Sequence, residues 1–388
     1  MKRSVSWLGL MAGLALIGQG CPRPAAPPAA PTPEKKVEAP VGAKTIKLGF
    51  IAPLTGDAAV YGEPAREVVK LAVDEINKAG GVNGKPLEVI YEDGKCNGKD
   101  GANAMQKLVN VDKVKIVIGG FCSSESLAAE PIATQNKVLL FSPGSSSPDL
   151  SKAGDLFFRN YPSDAFQGRV FADVAYTARG WRKVAVIQEQ LDYPLGIYKA
   201  FKENFGKLGG TTVVETFPSD TTDFRTLLAK LRAAKSDALL ISVQTPKAAE
   251  VILKQMSELK WKPNLMGADV IPGSDLPKTK KDLVEGMIVA EFGFDRNNPK
   301  FQKFVEAFKA KYGKEPPYLS YAQTEYDAVY VLRDGLTAFG EDADKLAEWL
   351  LNLKAWEGVS GTTEFDETGD RKGGHKPEII RNGAVLPL

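Results

Sequence analysis

Short apolar segments alternate with amphipathic segments along most of the chain. "TIKLGFIAPL", which begins at Thr45, has the character of a buried strand, and "GEPAREVVKLAVDEINKAGG" has apolar residues at helical spacing. Pro64 and Gly80 in the second segment are typical of a helix start and a helix end. The alternation continues through "KPLEVIYED", "KDGANAMQKLVNVD", "VKIVIGG", "SSESLAAEPIATQN" and "KVLLFSPG". This order predicts parallel βαβ units.

The alternation of predicted strands and helices stops at "DLFFRNYPSDAFQGR" and begins again after it. "KVAVIQEQ", "TTVVETFP", "DALLISVQ" and "GMIVAEFGF" predict the strands of a second sheet, with helices near residues 193–208, 223–234 and 245–259. Three more helices are predicted near residues 299–312, 320–339 and 343–354, followed by an extended tail. We therefore predict an α/β fold of two doubly wound, Rossmann-like lobes, with chain crossings near Arg159, Phe292 and Phe365.

The N-terminus predicts export. Lys2 and Arg3 precede an apolar run and then small residues, which is the pattern of a signal peptide over residues 1–20. Small residues directly before Cys21 resemble a bacterial lipoprotein signal, in which Cys21 is lipidated. Gly18 stands where that signal usually has Leu, so simple cleavage near residue 20 is the alternative. The Pro/Ala-rich residues 21–44 predict an extended tether.

Composition and charge exclude several function classes. The 388 residues carry 50 Lys and Arg against 48 Asp and Glu, without a basic patch, so nucleic acid is not an expected partner. The one histidine, His375, lies in a charged, glycine-rich turn and is expected to be exposed. Serine and cysteine nucleophiles need an imidazole nearby, and "IGGFCSSES" lacks the G-x-S-x-G elbow. We predict a protein without enzymatic activity, cofactor or metal site.

Two cysteines remain once Cys21 is assigned to the signal. Cys96 and Cys122 would pair as a disulfide in an oxidising compartment, and a reactive thiol is the alternative.

Several segments together resemble one protein family. "IKLGFIAPLTGDAAVYG", "AVDEINKAGGVNGKPLEVIYED", "CSSESLAAEPIATQNKVLLFSPGSSSPDL", "FFRNYPSDAFQGR" and "TDFRTLLAKLRAAKSDALLIS" are similar to the leucine/isoleucine/valine-binding type of ABC-transporter substrate-binding protein. The resemblance extends from residue 45 to about residue 369. It implies the periplasmic binding protein type I clamshell, with one lobe from residues 45–160 and 294–361 and the other from 161–293 and 362–388.

The resemblance also implies a function and its partners. Such proteins are monomers that close on one small ligand, often an amino acid, and deliver it to a permease. Contact with the membrane would then be limited to the lipid anchor at Cys21. Two alternatives stay open: the ligand is an amide, urea, or an aromatic or short-chain acid, or the protein is a sensing module for a membrane receptor.

The residues matching the family's polar ligand contacts lie after predicted strands. Ser123, at a helix N-terminus, would bind the ligand carboxylate, and Ser145 and Ser146 would bind carboxylate and ammonium. Gly144 would offer its carbonyl to the ammonium, and Asp269 would be the ammonium's acidic partner. Each has a simpler interpretation, since Ser123 and Asp269 could cap helices and "GSSS" could be an ordinary loop.

Other positions match the apolar parts of the family's site. Tyr61, Tyr193 and Tyr326 would line or close the cleft, and Cys96 and Cys122 match a disulfide in the first lobe. Gln244 occupies a position that often carries an aromatic residue, which changes the expected side-chain pocket.

Overall fold

The first sheet is built around β1 (Ile46–Ala52), a strand with six of its seven residues buried. The computed structural model describes residues 45–388. Five parallel strands have the order β2-β1-β3-β4-β5. The other four strands are β2 (Leu87–Asp93), β3 (Ile116–Gly119), β4 (Leu139–Ser142) and β5 (Phe157–Arg159). The helices between them are α1 (Ala59–Lys78), α2 (Gly98–Asn110) and α3 (Ser123–Gln135).

Strand residues of alternating orientation fill two separate cores. Ile51, Val117 and Leu140 pack with Met105 and Leu108 of α2. Their strand neighbours Phe50, Ile118 and Phe141 belong to the larger core, which also contains residues of α1 and of a later long helix. Because successive strand residues point to opposite faces, this division places helices on both faces of the sheet.

The second sheet has seven strands in the order β14-β13-β10-β9-β8-β6-β7. Its parallel strands are β6 (Lys183–Glu189), β7 (Thr211–Phe217), β8 (Ala238–Ser242), β9 (Asn264–Gly267) and β10 (Ile288–Glu291). The last two, which are antiparallel, are β13 (Lys376–Arg381) and β14 (Ala384–Pro387). Helices in this part are α4 (Asp164–Asp173), α5 (Asp192–Lys207), α6 (Arg225–Ala233), α7 (Pro246–Glu258), α8 (Leu276–Thr279) and α9 (Lys281–Val284).

Between β10 and β13 the chain returns to the first sheet. It forms α10 (Pro299–Tyr312), α11 (Leu319–Phe339), α12 (Ala343–Leu351) and the hairpin of β11 (Trp356–Gly358) and β12 (Gly361–Thr363). Helices α10 and α11 pack on α1, and α12 contacts β4. The chain therefore passes between the sheets three times, after β5, after β10 and after β12. The lobe boundaries implied by the resemblance remain a proposal.

The predicted fold class is confirmed: the chain is α/β, with two mostly parallel sheets. The three helices expected near residues 299–354 are present. Strand β9 was not predicted, because "NLMG" is only four residues long and follows a proline. The predicted signal peptide, tether and lipidation site at Cys21 lie outside the described residues. From residue 45 onward, no helix is long and apolar enough to cross a membrane.

Candidate functional site

A small space lies between residues of the first-sheet side and residues of the second-sheet side. We call this space the inner cavity; its lining residues are Tyr61, Phe121, Cys122, Ser123, Gly144, Ser146, Tyr193, Gln244, Val270 and Tyr321. Six of the nine predicted ligand residues are among them. Its volume is about 10 Å³, which is room for about one water molecule. The described conformation is therefore closed, and an organic ligand can enter only if the two sides move apart.

The two sides meet across the inner cavity. The Tyr61 hydroxyl, on α1, donates to the backbone carbonyl of Gln244 beyond β8 at 3.2 Å. Farther out, Lys247 of α7 forms an ion pair with Asp57 at 2.8 Å. Both contacts join the first-sheet side to the second-sheet side, so separating the two sides would break them.

Helix α3 directs its N-terminus at the inner cavity. Cys122 is its N-cap, and the Glu125 side chain accepts the Cys122 amide hydrogen at 2.9 Å, completing a capping box. Ser123 and Ser124 then supply first-turn amides, which an α-helix leaves without partners in its own ladder. Ser123 Oγ accepts from the amides of Ser146 and Ser147 at 3.2 and 3.0 Å. Its hydroxyl hydrogen stays available, so this end of the cavity is suited to a carboxylate.

The disulfide predicted between Cys96 and Cys122 is present, with the two Cα atoms 5.1 Å apart. Glu125 accepts both half-cystine amides, since Cys96 N donates to its second oxygen at 2.9 Å. Burial raises the pKa of Glu125 to about 7, although these amides favour the ionised form. The disulfide and Glu125 together fix the start of α3.

The three serines of the loop after β4, residues 145–147, have different surroundings. Ser146 lines the inner cavity, as does Gly144. Ser145, in contrast, donates to the Gly120 carbonyl at 2.7 Å and lies 2.7 Å from the Ser126 hydroxyl. The resemblance predicted a ligand contact for Ser145, but the structure gives its hydroxyl a backbone partner behind the cavity.

A buried arginine holds this loop in place. Arg159 is completely buried, and it binds Asp370 in bidentate fashion at 2.6 and 2.7 Å. The same guanidinium donates to the Ser147 carbonyl at 2.8 Å. Arg159 lies at the first chain crossing and Asp370 near the third, so one charge-assisted network joins the crossings to the loop that carries Ser146.

Asp269 lies behind the cavity lining. Its Oδ2 accepts from the hydroxyls of Tyr161 at 2.6 Å and Tyr321 at 3.1 Å, and its Oδ1 accepts from Tyr193. Burial acts to raise the pKa of Asp269, but His375 and these hydroxyls outweigh it and hold the pKa below its usual value. The side chain is thus an ionised carboxylate whose neighbours Tyr193 and Tyr321 face the cavity.

The expectation that His375 is exposed was wrong. It is 6% exposed, and its Nε2 lies 3.6 Å from Oδ2 of Asp269. Within the described residues neither ring nitrogen has a hydrogen-bond partner. The glycine-rich turn, which suggested a surface position, in fact allows close packing, because a Cβ on Gly374 would lie 2.7 Å from the Phe166 ring.

Asp164 was not predicted from the sequence. It is the first residue of α4, it is completely buried, and neither carboxylate oxygen has a hydrogen-bond partner among the described residues. Its own amide donates to the Ser146 carbonyl at 2.7 Å. Burial, followed by the nearby charge of Asp269, raises the pKa of Asp164 well above its usual value, although the Ser146 side chain and the charge of Arg159 favour the ionised form. In the sequence it is indistinguishable from an ordinary acidic residue in a first helical turn.

Tyr326 does not reach the inner cavity. Its hydroxyl, like that of Tyr330, donates to Glu75, and it lines a separate surface cavity. Tyr321 on the same helix faces the inner cavity instead. Five residues correspond to about 140° around a helix, which places the two tyrosines on different faces.

Aromatic rings form the rest of the lining. The Tyr61 and Phe121 rings stack 5.5 Å apart, and the Phe121 and Tyr321 rings are 5.2 Å apart. Phe121, Tyr321 and Val270 were not predicted from the sequence. Among the described residues, no group of three His, Cys, Asp or Glu side chains is placed to hold a metal ion.

Sequence comparison finds a matching protein family and similar proteins of known name. Residues 45–378 match the family described as "Periplasmic binding protein". The chain is 31% identical over 335 residues to the leucine-, isoleucine-, valine-, threonine- and alanine-binding protein of Pseudomonas aeruginosa, covering 86% of this chain and 88% of that protein.

Two solved structures extend the similarity to the fold. A leucine-binding protein from Thermotoga maritima is similar with a TM-score of 0.79 and 30% identity, over 88% of this chain and 99% of that one. A branched-chain amino acid transporter substrate-binding protein from Streptococcus pneumoniae, in complex with isoleucine, has a TM-score of 0.77 and 29% identity, over 88% and 98% of the two chains.

Proposed function

The chain belongs to the periplasmic binding protein family, and on that premise we propose that it binds one small α-amino acid in the inner cavity and delivers it to the permease of an ABC transporter. The relatives described above are binding proteins by name. The ligand is inferred for this chain from the chemistry of its own residues, and the permease partner from the family to which the chain belongs.

One observation carries the proposal: Ser146, which lines the inner cavity, is hydrogen-bonded to two residues whose polar groups suit opposite charges. Ser123 offers a hydroxyl and first-turn amides, which suit a carboxylate. Asp164, whose amide is bonded to the Ser146 carbonyl, offers a buried carboxyl group that has no partner among the described residues. A ligand with a carboxylate and an ammonium on one carbon would satisfy both groups.

In this proposal Asp269 does not contact the ligand directly. Its oxygens accept three tyrosine hydroxyls, so its charge reaches the inner cavity through Tyr193 and Tyr321. The ammonium would bind Asp164 and the Gly144 carbonyl directly, and Asp269 would add an attractive field. Ligands lacking the ammonium would leave Asp164 buried and unpaired, which disfavours them.

We further propose that the protein works as a monomer at the cell envelope, held by a lipid on Cys21, and that the two lobes open about the three crossings. Labelling of the expressed full chain with a radioactive fatty acid, compared with Cys21→Ser, tests the anchor.

A thermal-shift screen with the purified folded chain tests ligand class. It should include the common amino acids, acetamide, urea, benzoate and short-chain acids. A ligand at 100 times its Kd adds about 2.7 kcal/mol to the free energy of unfolding, so a true ligand raises the midpoint measurably. We expect shifts with small aliphatic amino acids that disappear in Ser123→Ala. If only acetamide, urea, benzoate or the short-chain acids raised the unfolding midpoint, the proposal would be contradicted.

A further inference from the structure

A second, larger space lies directly outside the inner cavity, and a single lining residue belongs to both. We call this space the vestibule. Its volume is about 500 Å³, and it is lined by part of α7 and by the loops after β1, β2, β6, β7 and β8. Gln244 is the one residue that lines both spaces. The disulfide completes the boundary, with Cys122 on the inner side and Cys96 on the vestibule side.

Gln244 is held firmly in this position. It is 7% exposed, its backbone amide donates to Glu189 Oε2 at 2.8 Å, and its carbonyl accepts from the Tyr61 hydroxyl at 3.2 Å. Its side-chain nitrogen lies 3.9 Å from the Cys122 sulfur. The amide side chain therefore extends across to the disulfide and separates the two spaces.

The side chain of a bound amino acid should point toward this partition. The carboxylate and ammonium ends are assigned to Ser123 and Asp164, so the side chain is left with the rest of the lining. Most of that lining is aromatic or aliphatic and closes the cavity: Tyr61, Phe121, Tyr193, Val270 and Tyr321. Gln244 and the disulfide form the remaining wall, and the vestibule lies beyond it.

The vestibule has a mixed lining of apolar side chains, uncharged hydrogen-bonding groups and charges that mostly have partners. The apolar residues are Ala58, Leu191, Phe224, Ala248 and Val251. Lys247 is paired with Asp57, Lys95 lies 3.5 Å from Asp100, and Glu189 accepts the Gln244 amide. Asp220 is exposed at the edge. The uncharged polar residues are Asn97, Ser219, Thr221, Thr222 and Thr245. Such a surface suits a side chain with an apolar stem and an uncharged polar end, such as an amide or a ureido group.

We propose that Gln244 is the specificity-determining residue of this site: it limits the length of the ligand side chain, and the vestibule behind it is a latent subsite for α-amino acids with longer, uncharged polar side chains. This inference rests on the proposed function, because it requires an amino acid in the inner cavity. Shortening Gln244 would join the two spaces.

The test compares two ligands in three proteins by isothermal titration calorimetry. The ligands are L-citrulline and whichever of alanine, valine, leucine and isoleucine binds the natural protein most tightly. The proteins are the natural sequence, Gln244→Ala and the control Gln188→Ala. Gln188 is another buried glutamine on the second-sheet side, bonded to Thr216, and it lines neither space.

We expect Gln244→Ala to shift the affinity ratio toward citrulline by about tenfold or more, since single methylene groups are discriminated by about that factor. Gln188→Ala should leave the ratio within about twofold of the natural value. If Gln244→Ala does not fold, Gln244→Asn, which is one carbon shorter and keeps the amide, should shift the ratio in the same direction. An unchanged ratio in the folded Gln244 variant overturns the inference alone. Absence of binding by every amino acid to the natural protein overturns the proposed function, and the inference with it.

Discussion

The Nε2 atom of His375 lies 3.6 Å from Oδ2 of Asp269, and both side chains are fully buried. The only histidine of the chain is thus placed beside the carboxylate that also accepts three tyrosine hydroxyls. His375 is one of the groups that lower the pKa of Asp269, so this contact favours the ionised carboxylate behind the inner cavity.

We predict that His375→Phe makes the protein more sensitive to acid. The lowered pKa of Asp269 contributes stability that is present above the ordinary carboxyl pKa and is lost as the pH falls through the folded-state value. Without His375, burial is opposed by the hydroxyls alone, and the folded-state pKa rises. Urea unfolding between about pH 3 and 7 should show the variant losing stability at a higher pH than the natural protein. If the stability of the variant and of the natural protein depended on pH in the same way, the contact between His375 and Asp269 would be contradicted.

Asp164→Asn should weaken amino acid binding by about 10- to 100-fold, the effect of losing one hydrogen bond to a charged group. It should not destabilise the ligand-free protein, because it removes a buried carboxyl that has no partner among the described residues. Since the pKa of Asp164 is raised, binding of an ammonium should release a proton, and affinity should increase with pH. Calorimetry in buffers of different ionisation enthalpy measures that proton. A variant that still releases it would show that another group is responsible.

Glu291→Gln should remove a loss of stability at alkaline pH. Burial raises the pKa of Glu291 to about 8, while Ser320 donates to it at 2.7 Å. The folded state therefore keeps a proton that the unfolded state has released, and stability falls as the pH rises from the ordinary carboxyl pKa of about 4.5 through about 8. The variant, which is neutral throughout, should be the more stable protein at about pH 9, by an amount on the order of a few kcal/mol. Exposed Glu315→Gln is the matched control and should behave as the natural protein.

Removal of the disulfide should affect both stability and binding. The cysteines are 26 residues apart, so Cys96→Ser with Cys122→Ser should lower the free energy of unfolding by about 3 kcal/mol in the chain-entropy description. Because Cys122 also caps α3, amino acid affinity should fall in the folded variant. Urea unfolding and calorimetric titration of the same sample measure the stability and the affinity. An unchanged affinity would show that the disulfide does not position the ligand site.

The parts of the fold that the sequence predicts are those with a local signal. The spacing of apolar residues was enough to predict β1, the helices α10 to α12 and the arrangement in two sheets. Strand β9 has four residues, and a single proline before it obscured the pattern. Among the residues that the resemblance named, the folded chain brings together Ser123, Gly144, Ser146, Tyr61, Tyr193 and Gln244.

What the sequence did not reveal depends on contacts between distant segments. Arg159 and Asp370 are 211 residues apart and meet only because two chain crossings lie side by side. His375 reaches Asp269 through a turn that local composition marks as exposed. Ser145 and Ser146 are adjacent and chemically identical, and only the folded loop decides which of them lines the cavity.

The central claim is that the ligand carries both a carboxylate and an ammonium. Calorimetric titration of the natural protein with an aliphatic amino acid and with its deaminated acid, leucine with 4-methylpentanoate for example, tests it directly. We predict one-to-one binding of the amino acid and a loss of at least about tenfold in affinity for the deaminated acid, because the latter leaves Asp164 without a partner. Equal or tighter binding of the deaminated acid would contradict the claim.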